Sequence, residues 1–272
     1  MNLNLCVIIP GFGAPHLDEK IKILNNNLEV LSRFPGSISV RLCVYDMDPT
    51  LPARLEELLS FYGVAFQLFQ EPGVVAQFIV RHAHPKSLID SPTPTPTHVM
   101  ILLDDVELQS TSWTWAHVLY DYENQCLDIA SPTLTDDSKI LFPYMQHTVV
   151  GMDLIKISSA CELFCYFMRT SVYEKYYAQL SMEHPLLWGI DLVLTKHLGF
   201  KVALLNYCEM KHYYQQKQTN ESDIEPFLQM AKYLSKFGET QESLSHQPAI
   251  LSEVLVHHRI HKIHTNIPKQ NS

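Results

Sequence analysis

The sequence predicts an α/β fold: a central, mostly parallel sheet flanked by helices, with a helical C-terminal extension. Three observations predict it. From Leu5 to Pro85, short continuous apolar runs alternate with segments of helical spacing, in the order βαβαβα. The 272 residues are 46% hydrophobic, enough to bury one large core. No run approaches the ~20 apolar residues that span a bilayer.

The elements follow in order. LCVIIP is β-branched and continuous and reads as a buried strand. The GFGAP turn leads into HLDEKIKILNNNLEVLSRF, whose Ile21, Leu24, Leu28 and Leu31 recur at helical spacing. ISVRLCVYD is a second strand. PTLPARLEELLSFYG has Pro near its start and Gly after its end, the asymmetry of a helix. VAFQLF is a third strand and EPGVVAQFIVRHAHP a short helix. The Pro-Thr run from Ser91 to Thr97 reads as an extended surface loop within one domain. A strand through Leu103, a helix over STSWTWAHVLYDYENQ, and strands over LDIASPTL and ILFPYMQHTVVGMDLIKIS come next. From Cys161 the pattern reads as helical, through TSVYEKYYAQL and HPLLWGIDLVLTKHLG, before a late strand, FKVALLNY. SDIEPFLQMAKYLSKFG opens on a Ser cap with acids in its first turn and closes at Gly238. Val254 to His264 reads as an amphipathic helix. His257, His261 and His264 lie near one face, and Leu255, Ile260 and Ile263 pack inward. Residues 1–220 form the main domain and 221–272 an extension packed on it.

Composition narrows the function. With 29 acidic against 20 basic residues and a net charge of −9, the chain lacks the basic face of a nucleic-acid binder. An acidic protein still binds phosphates when a metal ion supplies the positive charge. Cys6, Cys43, Cys126, Cys161, Cys165 and Cys208 form no Cys-x-x-Cys pair and sit mostly in apolar runs, which reads as free thiols in a reducing compartment. No signal peptide or membrane span is evident, so a soluble, cytoplasmic protein is expected. Gly11 and Gly13 begin a dinucleotide fingerprint, but its third glycine position holds His16, and no P-loop follows.

The residues with chemistry cluster at strand ends. THVMILLDDVEL closes an apolar strand on Asp104, Asp105 and Glu107. Alternate carboxylates there suit a hard divalent cation, which takes oxygen ligands and keeps waters or phosphate oxygens; a solvated turn is the other reading. Asp191 of LLWGIDLVL lies near a helix start beside Leu187 and Trp188, as a general base or a helix cap. Gly189 would let an acceptor approach the backbone. His212 follows the late strand, as a third metal ligand or an ordinary packed histidine. Trp113 and Trp115 alternate, with core packing expected and a sugar contact as the alternative.

The ordered motifs VIIPGFG, VYD, ILLDDVEL, ELFCYFMRT, LLWGIDLVLTKHLGF and KHYYQ resemble glycosyltransferases of the GT-A (Rossmann-like) class. They are similar, more narrowly, to small glycosyltransferases of chlorella viruses and related plant proteins. The resemblance implies an inverting transfer of a sugar from a nucleotide diphosphate sugar, UDP favoured, to a glycan hydroxyl. It places a metal, Mn²⁺ or Mg²⁺, on Asp105, Glu107 and His212, the Asp-x-Asp of the class having become Asp105-Val106-Glu107. It places the nucleoside against Pro10, Gly11, Phe12 and Asp46, and the ribose near Asp104. The catalytic base falls on Asp191, with the first acid of the usual helical pair replaced by Ile190. Glu162, Tyr166, Arg169, Trp188 and Gly189 fall on the sugar and acceptor side. For a viral protein the compartment would be the host cytoplasm. The competing functions are a non-catalytic nucleotide-sugar or carbohydrate binding module and a metal-dependent phosphodiesterase; the latter would want more His and Asp ligands than these motifs supply.

Overall fold

The structure is a computed structural model. It describes residues 2–45, 48–71, 75–89, 94–139, 143–146, 153–184, 187–213, 224–239 and 249–256, with the backbone alone at 89 and 224–227. The first half winds as β1 (Asn4–Ile9), α1 (Leu17–Leu31), β2 (Ser37–Val44), α2 (Leu51–Phe61), β3 (Ala65–Gln70), α3 (Val75–His82), α4 (Pro85–Ile89) and β4 (His98–Leu102). The second half runs β5 (Val106–Leu108), α5 (Trp115–Asn124), β6 (Ile129–Leu134), β7 (Leu154–Ser158), β8 (Cys165–Arg169), α6 (Thr170–Tyr177), α7 (Ile190–Leu192), β9 (Val202–His212), α8 (Ile224–Ser235) and β10 (Ile250–Leu255).

One sheet takes all ten of these strands among the described residues, in the order β10-β7-β9-β6-β8-β4-β1-β2-β3, with β5 added alongside β9. β3, β2, β1 and β4 are mutually parallel. β8 enters antiparallel between β4 and β6. The runs that read as buried strands are buried: β4 is covered along its whole length, and β1 from Leu5 onward. Such strands carry apolar residues on both faces because helices flank the sheet.

Three elements depart from the sequence reading. Cys165–Arg169, expected in a helical stretch, is a strand. Its apolar run has no period, and burial between two neighbours decides it. The long strand expected over 140–158 begins only at Leu154, after a 3₁₀ turn at Pro143–Met145; residues 140–142 and 147–152 lie outside those described. The C-terminal segment contributes α8 and also an edge strand, β10, antiparallel to β7. Leu255, expected to pack inward from a helix, is 60% exposed on that strand. His257, His258, His261 and His264 lie outside the described residues.

Candidate active site

Parallel register brings the chemistry to one edge of the sheet. Ile9 lies opposite Leu42 and Ile8 opposite Ile101, so the loops after β1, β2 and β4 emerge together. β8 runs the other way, with Cys165 opposite Leu102, so the loop before it reaches the same edge. β9 is long enough to pair first with β6 and β7 and then, past a register shift, with β5. That pairing sets His212 opposite Val106.

Asp104 closes β4 and meets a cation from α1. Lys20 Nζ lies 2.7 Å from Asp104 Oδ2, with the two side chains only 7% and 16% exposed. The ammonium also donates to Gly13 O at 2.8 Å and Tyr45 OH at 3.3 Å. Burial pushes the Asp104 carboxyl up to about 6, a rise that Lys20 restrains and Asp105 adds to. Burial disfavours the Lys20 ammonium, but Asp104 and Tyr45 outweigh it and hold the lysine above its ordinary value. At neutral pH both partners are therefore charged.

Asp105 and His212 form the second contact, with His212 Nε2 3.3 Å from Asp105 Oδ2. His212 Nδ1 sits 2.5 Å from the Lys139 carbonyl, which can only accept, so the ring proton belongs on Nδ1. In the neutral ring, Nε2 then presents a lone pair to a carboxylate oxygen. Two acceptors face each other unless a proton or a metal cation stands between them. Burial would lower the imidazole's pKa, but Asp105 and the Lys139 carbonyl raise it above its usual value.

Glu107 does not join them. Its Oε1 accepts from Asn26 Nδ2 at 2.7 Å, and its Oε2 accepts from the Tyr213 hydroxyl. The buried Asn27, one residue on, bonds both Val106 O (2.8 Å) and Leu108 N (2.7 Å). That amide satisfies the edge of β5 as a further strand would. Thus α1 clamps the acid strand. Among the described residues no three His, Cys, Asp or Glu side chains are grouped to hold a metal; of the three expected ligands only Asp105 and His212 are in contact.

Asp191 lies in α7, whose N-cap is Gly189. Burial raises its pKa above the usual carboxylate range, while the backbone N–H groups of Leu192, Asp191 and Cys161 pull it back. Glu162, in the loop before β8, is raised as well, by burial and then by the Asp191 charge.

No protein-family model matches the chain, and no curated protein sequence does. Solved structures do. Residues 1–349 of Staphylococcus aureus TarS in complex with UDP-GlcNAc align at a TM-score of 0.52 and 11% identity, covering 89% of this chain and 68% of that one. The mannosyltransferase PcManGT from Pyrobaculum calidifontis in complex with GDP-Man and Mn²⁺ aligns at 0.55 and 11% identity, covering 89% and 66%. This chain thus spans about two thirds of the length of either. The fold is GT-A.

The GT-A edge gathers some of the expected residues and not others. Pro10 and Phe12 are buried, and the Phe12 carbonyl accepts from Tyr45 N–H at 3.1 Å. A Cβ on Gly11 would stand 3.3 Å from the Tyr45 ring. Asp46 lies outside the described residues. Tyr166 is in the core, its hydroxyl donating to Cys161 O. Arg169 is placed away from the site: it pairs with His98 at the far end of β8 and forks onto Glu123. Trp188 has its carbonyl held by His184 Nε2 at 2.7 Å. Gly189 does not open the backbone to an acceptor. A Cβ there would meet Leu234 at 2.9 Å and Met230 at 3.0 Å, so the glycine makes room for α8. Trp113 and Trp115 are buried edge to face, with Trp115 Nε1 donating to Val30 O at 2.9 Å, which makes them core. A cavity of about 330 Å³ lies at the opposite edge, by Asn4, Ser37 and Ala65, away from every acid named above.

Sequence reasoning missed Lys20, Asn27 and Tyr45. The first two carried a signal: they stand in register with Leu24, Leu28 and Leu31 on the buried stripe of α1. A charge or amide on an apolar stripe needs a partner.

Proposed function

We propose that this GT-A chain transfers a sugar from a nucleotide diphosphate sugar, UDP-linked in this reading, to a glycan hydroxyl, with inversion at the anomeric carbon. The observation that carries it is the gathering, at the carboxyl edge of a GT-A sheet, of a half-buried carboxyl on Asp191 and the acceptor-to-acceptor contact of Asp105 with His212. The narrower likeness to chlorella-virus and plant glycosyltransferases, and a cytoplasmic setting, belong to the same proposal. All six cysteines are unpaired, five of them buried, which supports the setting. Among the described residues no helix is long and apolar enough to cross a membrane.

A divalent ion, Mn²⁺ or Mg²⁺, fits this edge. Asp105 supplies a hard oxygen, His212 a lone pair on Nε2, and the Lys139 carbonyl orients the ring as an outer-shell partner does. Two protein ligands suffice for an ion that keeps waters and substrate phosphates. When bound, such an ion neutralises the charge that develops on a departing diphosphate. The remaining steps belong to the chain. Asp105 and His212 would hold the ion that meets the donor's diphosphate, and the Gly11–Gly13 loop with Tyr45 borders its nucleoside. Asp191 takes the proton of the acceptor hydroxyl. The acceptor oxygen bonds the anomeric carbon as the bond to phosphate breaks, its electron pair leaving with the diphosphate. One base opposite the leaving group gives inversion, as in inverting glycoside hydrolysis.

The test is a thermal-shift screen of UDP-, GDP- and CMP-sugars with and without Mn²⁺, followed by NMR of the product of any donor that binds. A donor at ~100 times its dissociation constant adds ~2.7 kcal/mol of stability. Stabilisation that needs Mn²⁺, and a product of opposite anomeric configuration, are expected. Equal binding without the ion overturns the metal role. Retention of configuration overturns the single-base reading.

A further inference from the structure

The acids gather where β1, β2 and β4 end. Where β1, β2 and β3 begin, the cavity of about 330 Å³ opens beside the last turns of α1 and α2. The two edges are separated by the length of β1, roughly 20 Å. Register sets the strand side of the cavity, with Asn4 opposite Ser37 and Ser39 opposite Ala65. Ser32 at the C-cap of α1 and Tyr62 at the C-cap of α2 line its helix side. Leu5, Ile38, Val64 and Pro94 add apolar surface. Phe61, next to Tyr62, is 81% exposed, and the two rings meet edge to face with 5.2 Å between centroids.

The hydrogen bonds around this space decide what it can hold. Among the described residues no charged side chain lines it. The backbone N–H groups of Asn4, Gly36, Ser37, Gly63 and Val64 all donate within the protein. An anion would therefore find neither a cation nor a free donor. A cation fares no better. The last four carbonyls of α1 are taken: Leu28 O by Ser32 N at 2.8 Å, Glu29 O by Ser32 Oγ at 2.8 Å, Val30 O by Trp115 Nε1 at 2.9 Å and Leu31 O by Phe34 N at 2.8 Å. At the end of α2, Val64 N takes Leu59 O and Gly63 N takes Ser60 O. What remains is neutral oxygen. Ser37 Oγ donates to Asn4 Oδ1 at 2.6 Å, Ser32 Oγ to Glu29 O, and the Tyr62 hydroxyl to Asn25. Each hydroxyl has spent its one proton and keeps lone pairs. The matching ligand brings O–H donors, carries no charge, and has apolar C–H faces for Leu5, Val64 and the aromatic pair.

We propose that this cavity is a second, non-catalytic binding site for a neutral saccharide unit, at the edge of the sheet opposite the acid cluster. Its volume lies at the small end of ligand pockets and takes about one or two sugar rings. The site is independent of the transfer reading, because none of its residues belongs to the acid edge. A glycan held there would be tethered to the chain without entering the edge where Asp105 and His212 meet.

The test is amide NMR of the isotope-labelled full chain, titrated with glucose, galactose, mannose, xylose, rhamnose and N-acetylglucosamine in the absence of nucleotide and metal. At least one sugar should shift the amides of Ser37 and Val64 saturably, with a dissociation constant on the order of 1 mM. Ser37→Ala removes one accepting oxygen and should weaken that binding by ~5-fold. Ala65→Phe stands at an exposed position, fills the space and should abolish binding while the rest of the spectrum stays that of the folded chain. Inorganic phosphate and choline, as anion and cation probes, should leave the same amides unmoved. No response to any of the six sugars overturns the proposal. Phosphate or choline acting as strongly as the best sugar overturns the ligand class, and binding that survives Ala65→Phe overturns the location. UDP with Mn²⁺ should leave the sugar's affinity unchanged; displacement by UDP would place the sugar at the acid edge and overturn the second site. A chain that binds no nucleotide at all removes the transfer reading, and the sugar titration still decides this one.

Discussion

Lys20 of α1 holds its ammonium 2.7 Å from Asp104 at the end of β4, joining the first helix to the acid cluster through a nearly buried ion pair. Burying both charges is costly, and the contact returns that cost only while both partners are present. Lys20→Met should lower stability by about 3 kcal/mol, because it leaves a carboxylate uncompensated. Lys20→Met with Asp104→Leu should recover much of that loss. Urea denaturation of the two single variants and the double variant completes the cycle. Additive losses would show that the pair does not act as a unit.

Asp104 also gives stability an unusual pH dependence. Its folded-state pKa of about 6 exceeds the ordinary aspartate value of 3.8. Between those values the folded chain binds the proton and the unfolded chain does not. By linkage, stability falls as pH rises through that window and increases on acidification from about 6 toward 4, by on the order of 2 kcal/mol at most. Glu162 and Asp191 are raised as well and act in the same direction. Glu71 and Asp137 are held low by their partners and act oppositely, losing their contribution at more acid pH. Chemical denaturation from pH 4 to 8 should show maximum stability on the acid side of neutrality. Asp104→Asn should flatten the slope, and an unchanged slope in that variant would remove Asp104 as its source.

The metal proposal separates three residues that the motif alone treats alike. Asp105→Asn and His212→Ala should each weaken Mn²⁺-dependent UDP binding by ~10-fold or more, judged by isothermal titration, the scale on which metal-site partners act. Glu107→Gln should cost less, because Glu107 is spent on Asn26 and Tyr213. Its loss should appear instead as lower stability. If Glu107→Gln abolishes the metal response while Asp105→Asn preserves it, the assignment of ligands is reversed.

Local sequence carried the strands and helices of the first half well, because buried parallel strands such as LCVII and an amphipathic α1 have distinct periods. It carried Asp104, Asp105 and His212 to the same edge because the loops after parallel strands emerge together. It did not carry direction within antiparallel strands. Tyr166 and Arg169 are neighbours in sequence, but β8 puts Arg169 opposite His98, at the end of β4 remote from Asp104. Nor did it show which carboxyl faces which partner: Glu107 turns to Asn26 because α1 lies beside β5, a tertiary fact. The contact of the loop before β8 with α7, where Thr195 Oγ1 meets Ser159 O, was hidden because the sequence placed that loop's end in a helix.

Gly189 offers a last test, of how α8 supports the site. Its φ of 79° lies in the left-handed region, where a side chain costs roughly 1–2 kcal/mol. A Cβ there would also stand 2.9 Å from Leu234 Cδ1, closer than real contacts allow. Leu234 is fully buried and cannot swing into solvent. Gly189→Ala therefore combines backbone strain with overpacking, and the sum should reach about 3 kcal/mol. Leu234→Ala alone should cost about 2–5 kcal/mol through its cavity. In the double variant the new methyl enters space that Leu234 has vacated, so the overpacking part disappears and the combined loss should fall short of the sum. The strain part persists, so the double variant should remain less stable than Leu234→Ala. Strict additivity by urea denaturation would mean that α8 does not press on the turn carrying Asp191. A sub-additive result would establish that α8 fixes the N-terminus of α7, and thereby the position of the proposed base.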